Sequence, residues 1–226
     1  MFGTYVNTVA VIAGSLVGVL LHRELPDRIK KVIFQGIGLM VLFIGMQMAL
    51  KTSNLVILFS SILIGAVAGE VIDVERHLDR LGNFLKTRSR SKDERFIDGF
   101  VTASLVCCVG SMAIVGAIED GIRGDPSTLL AKSVLDGFVS ISFASALGMG
   151  VLFSALSVLA FQGGITLLAQ FLKTLLTDTL MNELSAVGGI LLLGLAIDML
   201  EIKEIKVGNL LPSLFVVVCL ARLLPV

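Results

Sequence analysis

The chain has 226 residues, of which 55% are hydrophobic and only 16% are charged, with a formal net charge of zero. A soluble domain carries about 25% charged residues, so this composition predicts an integral membrane protein whose partner is the lipid bilayer. Disordered, collagen-like and disulfide-scaffold classes are excluded. The balanced charge also argues against nucleic acid as a partner, since a nucleic-acid-binding surface is strongly basic.

Apolar runs long enough to cross a bilayer recur along the whole chain. A hydrocarbon core of about 30 Å requires about 20 residues of helix. Eight runs meet this criterion: 4–22, 31–50, 54–73, 96–118, 128–148, 150–172, 183–200 and 207–224. The sequence therefore predicts an all-α, polytopic transmembrane helical bundle of seven or eight spans, forming a single integral membrane domain over 1–226. The count stays open because 127–181 holds either two spans or one span and a broken one.

The distribution of Lys and Arg predicts the orientation of these spans. Thirteen of the 18 basic residues follow the first, third and seventh runs, and five lie on the opposite side. The positive-inside rule then places both termini outside the cytoplasm if there are eight spans. The first run has no small-residue cleavage site after it, so we interpret it as a retained helix.

Two glycine-rich stretches about 150 residues apart, beginning near Gly14 and Gly163, have similar glycine spacing. If the two stretches are copies of one repeat, the second copy lies an odd number of spans after the first and therefore crosses the membrane in the opposite direction. This pattern predicts inverted, repeat-like halves, about 1–73 and 150–226, around central motif helices at 96–148. Inverted repeats are typical of secondary transporters, in which the binding site lies near the midplane. Chance similarity between glycine-rich helices is the alternative explanation.

A glycine and a serine interrupt the fourth apolar run, which ends in two carboxylates. Unwinding at Gly110 and Ser111 would free backbone amides and carbonyls, which membranes tolerate only where they face protein or a watery cavity. We therefore predict a broken or re-entrant helix near 107–118 that forms part of a binding site. Glu119 and Asp120 would then lie at its outer mouth. The alternative is a continuous helix whose glycines serve packing, with both carboxylates in the outer interface.

The fifth run contains a lysine and an aspartate one helical turn apart. Lys132 and Asp136 share a helix face, and Ser140 continues that face toward the inside. If the helix begins near Ser127, Asp136 lies about 13 Å along it, close to the bilayer centre. A lone carboxylate there costs about 2.5–3.5 kcal/mol, so we expect it to face the bundle interior with a partner. It is either an ion-, proton- or substrate-binding group or half of a structural ion pair.

Other polar residues within the runs have both functional and structural interpretations. The amide of Asn7 needs a partner in hydrocarbon, which makes it a candidate site residue. Gln162 would either line a path for a solute through the bundle or form a hydrogen bond between helices. Small residues at three- and four-residue spacing, including Gly14, Gly18 and Gly137, predict helix-packing seams. Carboxylates at the inner edges of runs are ordinary interface residues. Among those that close the third and seventh runs, Glu70 and Asp198 lie deeper and are the candidates for a functional role.

The segment 74–95 predicts a cytoplasmic amphipathic helix. Its leucines and valines repeat at alternating three- and four-residue spacing, and charged residues fill the other faces. Such a helix lies on the inner leaflet, with basic residues against anionic lipid, or forms the contact of a homodimer.

Signatures of catalysis and cofactor binding are missing from the sequence. No H-E-x-x-H, phosphate-binding lysine loop or C-x-x-C occurs, and we expect no enzyme activity, no cofactor and no metal site. Cys107 and Cys108 are most simply small hydrophobic residues.

Several motifs together are similar to a known family over nearly the whole chain. They are Gly-Thr-Tyr-Val-Asn at 3–7, the run 108–121, Gly-Asp at 124–125, the runs 130–137 and 143–151, and Gln-Gly at 162–163. In these motifs the chain resembles the YqgA-like family of bacterial inner-membrane proteins, domain of unknown function 554, which is labelled a predicted transporter. The resemblance implies an inner-membrane location. It identifies no catalytic residues, because none are assigned in that family. The stretch 135–142 also resembles the aspartate helix of small manganese and heavy-metal exporters, which keeps cations among the candidate solutes.

These observations predict a secondary transporter or permease for a small solute or ion. Asp136 would be its coupling or coordinating carboxylate, Lys132 the charge partner, and the backbone at Gly110 and Ser111 a further contact. A passive ion channel, and a membrane scaffold acting through 74–95, are the alternatives.

Overall fold

The computed structural model describes residues 1–24, 26–89, 95–108, 111–172 and 177–223. Within these ranges the chain forms eleven helices and no strand, which confirms the predicted all-α class. The helices are α1 (Phe2–Glu24), α2 (Asp27–Ala49), α3 (Leu55–Ile72), α4 (Val74–Ser89), α5 (Phe96–Cys108), α6 (Ser111–Ile122), α7 (Ser127–Leu147), α8 (Gly150–Leu172), α9 (Asp178–Met199), α10 (Val207–Leu210) and α11 (Ser213–Leu223).

Among the described residues, six helices are long and apolar enough to cross a membrane: α1, α2, α3, α7, α8 and α9. The pair α5 and α6 counts as a seventh span if the two are taken together. A shorter apolar stretch, Val207–Leu223, comprises α10 and α11. This architecture agrees with the predicted bundle of seven or eight spans.

The fourth span is broken where the sequence predicts. α5 ends at Cys108, α6 begins at Ser111, and the two helices are bent by 59° relative to each other. Gly110 and the side chain of Ser111, both predicted site residues, lie outside the described residues.

A turn at Gly148 resolves the region 127–181 into two separate helices. α7 ends one residue earlier, and the N–H of Gly148 donates to the carbonyl of Ala144. Gly148 has a φ of 72°, which glycine adopts readily because it has no β-carbon. α8 then begins at Gly150.

The chain divides into two compact units, each built from two stretches of sequence. The first comprises Met1–Ile37 and Gly82–Leu175, and the second comprises Gly38–Leu81 and Leu176–Val226. The first unit thus contains α1 and α5 to α8, the second contains α3 and α9 to α11, and α2 and α4 contribute to both.

In the first unit, α1 and α7 run side by side at a seam of small residues. A β-carbon at Gly14 would overlap the carbonyl oxygen of Gly137, and one at Gly18 would overlap the carbonyl oxygen of Ile141. Such close backbone contact holds helices together in lipid, where no hydrophobic force drives them into contact. The small-residue spacing of the sequence therefore marks a real packing seam.

The second unit is built around α3, which packs against α11 and α9. Gly65 lies against the backbone of Ser213, and Gly69 lies against that of Asn209. A buried apolar cluster joins the three helices: Ile57, Leu58, Ala186, Val187 and Val217.

Candidate functional site

The predicted pair on α7 forms a buried ion pair. The Lys132 ammonium nitrogen lies 2.7 Å from both carboxylate oxygens of Asp136. Only 7% of Lys132 and 4% of Asp136 is exposed. The two residues are four apart, and the helix therefore stacks them on one face.

Two amides from other helices complete a hydrogen-bonded network around this pair. Asn7 on α1 donates from Nδ2 to the carboxylate Oδ2 of Asp136 at 3.0 Å. The same nitrogen donates to Oε1 of Gln162 on α8 at 3.1 Å. Both amide side chains are fully buried. Asn7, Lys132, Asp136 and Gln162, which we call the polar network, thus link α1, α7 and α8.

The polar network has unused hydrogen-bonding capacity. Within the described part of the chain, Oδ1 of Asn7, Nε2 of Gln162 and Oγ of Ser140 are buried and have no hydrogen-bond partner. Ser140 lies one helical turn beyond Asp136, on the face that the sequence predicts to be polar. Because nearly all buried polar atoms in proteins are paired, these three unpaired atoms are unusual.

The helix break lies next to the polar network. Cys107 and Cys108, at the end of α5, pack in one apolar cluster with Val11 and Val158, which are one turn from Asn7 and Gln162.

The start of α6 also lies at the level of the polar network. Gly116 of α6 packs against Leu129 of α7, and Ser111 begins α6 five residues earlier, about 7.5 Å away along the helix. The N-terminal end of α6 therefore lies level with Lys132 and Asp136.

The predicted carboxylates Glu119 and Asp120 lie at the other end of α6, away from the polar network. Glu119 accepts a hydrogen bond from the Thr128 hydroxyl at 2.6 Å. Asp120 is buried and pairs through Oδ2 with the Met1 ammonium group at 2.9 Å and with the N–H of Gly3 at 3.0 Å. Both carboxylates therefore fix the packing of helix ends in this structure.

A shallow groove between α1 and α7 in the first unit is open to the outside, and Val134 and Phe138 at its edge are exposed. The side chains around it are small or apolar: Ala13, Gly14, Val17, Ser133, Val134, Gly137, Phe138 and Ile141. It borders the α7 face beside Asp136 and does not include the polar network.

Glu183 on α9 is a buried carboxylate that the sequence analysis missed. Its side chain is fully buried and accepts hydrogen bonds from the loop before α3. The donors are the Thr52 hydroxyl at 2.8 Å, the N–H and hydroxyl of Ser53 at 2.7 and 3.0 Å, and the N–H of Asn54 at 2.9 Å. Its signal in the sequence is a single carboxylate near the start of a long apolar run.

A second polar cluster lies at the end of α3. Glu70 accepts hydrogen bonds from Lys206 at 3.2 Å and from the amide of Asn209 at 2.6 Å. The pKa of Lys206 is raised because Glu70 binds its charged form. Asn209 also accepts from the N–H of Glu75, so this cluster holds α10 against the junction of α3 and α4. Glu70 is exposed and serves here as a structural residue, in line with the interface interpretation.

Membrane-length helices around a buried, charged hydrogen-bond network define a polytopic helical membrane protein. Residues 2–222 match the family described as protein of unknown function (DUF554), and the chain belongs to that family. This confirms the resemblance found in the sequence.

Two relatives cover nearly the whole chain. The uncharacterized membrane protein YdfK of Bacillus subtilis (strain 168) is 36% identical over 220 residues, which is 96% of this chain and 93% of that protein. The uncharacterized protein YqgA of Escherichia coli (strain K12) is 34% identical over 219 residues, 95% of this chain and 93% of that protein. No solved structure shows significant similarity.

Proposed function

We propose that the protein is a secondary transporter of a small solute or ion across the bacterial inner membrane, with both termini outside the cytoplasm. The observation that carries this proposal is the polar network of Asn7, Lys132, Asp136 and Gln162, buried within helices that span the membrane.

The energetic cost of the polar network supports a functional role. Burying an ion pair costs desolvation free energy, and the mutual attraction of the two charges barely offsets that cost. Apolar residues of the same size often give the protein equal or greater stability. Ionisable residues at membrane depth are rare and usually mark ion, proton or substrate pathways. The position of Asp136, about 13 Å along α7, is where a transporter site is expected.

The helix break gives the polar network a second transporter feature. Discontinuous helices supply free backbone groups at the binding sites of many secondary transporters. The break after Cys108 adjoins the polar network through the cluster that Cys107 and Cys108 form with Val11 and Val158.

Transport is tested by reconstituting the full chain into liposomes on a solid-supported membrane. Concentration jumps of NaCl, KCl, alanine and succinate are applied one at a time, and transient currents and uptake of labelled solute are recorded. We expect one class of solute to be taken up saturably, and Asp136→Asn to reduce uptake at least tenfold. The matched control is Asp125→Asn, a carboxylate in the exposed loop before α7.

The same preparation separates the alternatives. Saturable uptake with counterflow supports a carrier, whereas sustained current that reverses at the Nernst potential of one ion would replace the carrier by a channel. Uptake of no solute by wild type, or uptake unchanged in Asp136→Asn, would refute the proposal that the polar network is a transport site.

A further inference from the structure

One face of α4 is exposed although it contains large apolar side chains. Phe84 is 66% exposed and Leu81 is 46% exposed. α4 has 16 residues, six of them charged, and it is not among the helices that are apolar enough to cross a membrane. The exposure of these two side chains is therefore not explained by a position within the hydrocarbon core.

The opposite face of α4 packs against the rest of the chain. Leu78 lies against Gly208, and Gly82 lies against Ile97. Glu75 accepts a hydrogen bond from the N–H of Gly208 at 2.6 Å. Because Glu75, Leu78 and Gly82 are three and four residues apart, they share one side of the helix. This side of α4 is thus already occupied by residues of the same chain.

The exposed face of α4 is basic as well as apolar. Arg80 lies one helical turn before Phe84, Arg88 lies one turn after it, and Leu81 belongs to the same side. Both arginines are exposed. Among the side chains that the structure describes, no carboxylate pairs with either of them. We call Arg80, Leu81, Phe84 and Arg88 the basic face of α4.

The basic face belongs to a helix that begins where a membrane span ends. α3 ends at Ile72, and Asp73 alone separates it from Val74, the first residue of α4. Asp73 has a φ of 57°, in the left-handed conformation that ends many helices. The membrane-length helix therefore stops at Ile72, and α4 starts at the bilayer surface, at the level of the lipid headgroups. In the orientation proposed above, this is the cytoplasmic surface.

We propose that the basic face of α4 binds anionic phospholipid of the surrounding bilayer. Arg80 and Arg88 bind lipid phosphates, because a planar guanidinium group donates two parallel hydrogen bonds to a phosphate. Phe84 and Leu81 lie at the boundary between headgroups and acyl chains, where the apolar side of an interfacial helix is buried. An anionic headgroup is preferred because its net negative charge complements the two arginines. This inference does not depend on the transport function.

Charge argues against a second copy of the chain as the partner of the basic face. A symmetric dimer uses the same patch on both copies, so the arginines of one copy would lie against those of the other. Like charges in contact cost free energy. The leucine stripe from which the sequence predicts a homodimer contact is partly used within the chain, since Leu78 packs against Gly208.

The apolar side chains of the basic face favour a lipid over a free phosphate ion. A free anion would contact the arginines and leave Phe84 and Leu81 in water. A phospholipid presents acyl chains next to its phosphate, and removal of apolar side chains from water is favourable. One phospholipid layer thus matches both kinds of side chain on this face.

The absence of tryptophan from the sequence provides a direct test. Phe84→Trp gives the full chain a single tryptophan, on the basic face. The variant is reconstituted into nanodiscs with phosphatidylglycerol as the minor lipid and phosphatidylcholine as the major one. Quenching is measured when one of the two lipids has brominated acyl chains, relative to quenching when both have them. We expect brominated phosphatidylglycerol to quench at least about twofold more than its mole fraction predicts.

Two controls separate this preference from general lipid contact. Phe59→Trp places the single tryptophan on the exposed side of α3, within a span, and its quenching should follow the mole fraction of either lipid. In the Phe84→Trp background, Arg80→Gln together with Arg88→Gln should abolish the preference while quenching by lipid continues. Lys86→Gln removes a positive charge from the other side of α4 and should leave the preference unchanged.

The outcomes decide between lipid and the other partners. Quenching in proportion to mole fraction in Phe84→Trp, or a preference that persists in the double arginine variant, would overturn the inference. So would quenching by neither lipid in a chain that light scattering shows to be dimeric, because the face would then be a contact between copies. Loss of the preference on addition of inorganic phosphate at constant ionic strength would assign the face to a free anion instead. Circular dichroism of each purified variant verifies that it is folded.

Discussion

Replacing one member of the buried ion pair should cost more stability than replacing both. In Asp136→Asn the Lys132 ammonium stays buried without a counter-charge, and removal of one partner from such a pair costs about 3–5 kcal/mol. Lys132→Met leaves the carboxylate without a counter-charge, with a similar cost. The double variant buries no charge, and we expect it to lose only about 1–2 kcal/mol.

The expected coupling follows from the geometry. Two unit charges 2.7 Å apart attract by about 6 kcal/mol at an effective dielectric constant of 20. This value matches the difference between the sum of the single-variant costs and the cost of the double variant. Typical hydrogen bonds between membrane helices contribute only about 0.6 kcal/mol, so a charged pair is clearly distinguishable from them.

The double-mutant cycle is measured as the free energy of unfolding in bicelles, for example by steric trapping. Asp125→Asn in the exposed loop serves as a control for the loss of one carboxylate. A coupling below about 1 kcal/mol would refute the reasoning, because it would mean that Lys132 and Asp136 do not neutralise each other in the membrane.

Three further outcomes follow from other parts of the structure. Gly14→Ala should lower the free energy of unfolding by about 1–3 kcal/mol, because the added β-carbon overlaps the facing backbone of α7. Gly36→Ala is the control, since Gly36 has open space around it and the change should have little effect. Equal effects of the two substitutions would contradict the tight seam between α1 and α7. Glu183→Gln should lower the free energy of unfolding by about 2–3 kcal/mol, because the backbone and hydroxyl donors of the loop before α3 then lose a charged acceptor. A loss under about 0.5 kcal/mol would argue against these hydrogen bonds. The hydroxyl and then the N–H of Ser127 lower the pKa of Asp125, so the stabilising contribution of Asp125 is full above its ordinary pKa and is lost as pH falls through the lowered value. Ser127→Ala should raise that pKa in a carbon-13 titration, and an unchanged value would exclude the bond.

The sequence was sufficient to predict the helical class, the approximate spans and the break near Cys108. These features depend on local composition, because a span needs an uninterrupted apolar run and a break needs residues that weaken the helix. It also predicted the contact of Lys132 with Asp136, since four residues make one helical turn.

The contacts between distant segments could not be predicted. Asn7 was recognised as an amide that needs a partner, but its bonds to Asp136 and Gln162 join residues 129 and 155 positions apart. Their pairing depends on which helices are neighbours, which apolar periodicity does not specify. The role of Glu183 was missed for the same reason, because its donors lie about 130 residues earlier in the chain.

The long separation between Asn7 and its partners has a consequence for biosynthesis. A ribosome adds about 5–20 residues per second, so roughly 8–30 s pass between synthesis of Asn7 and synthesis of Gln162. Until Asp136 and Gln162 have been synthesised, the amide of α1 lacks both of these hydrogen-bond partners. We therefore expect α1 to be retained by the insertion machinery, and to be released only after the helical hairpin of α7 and α8 has been inserted.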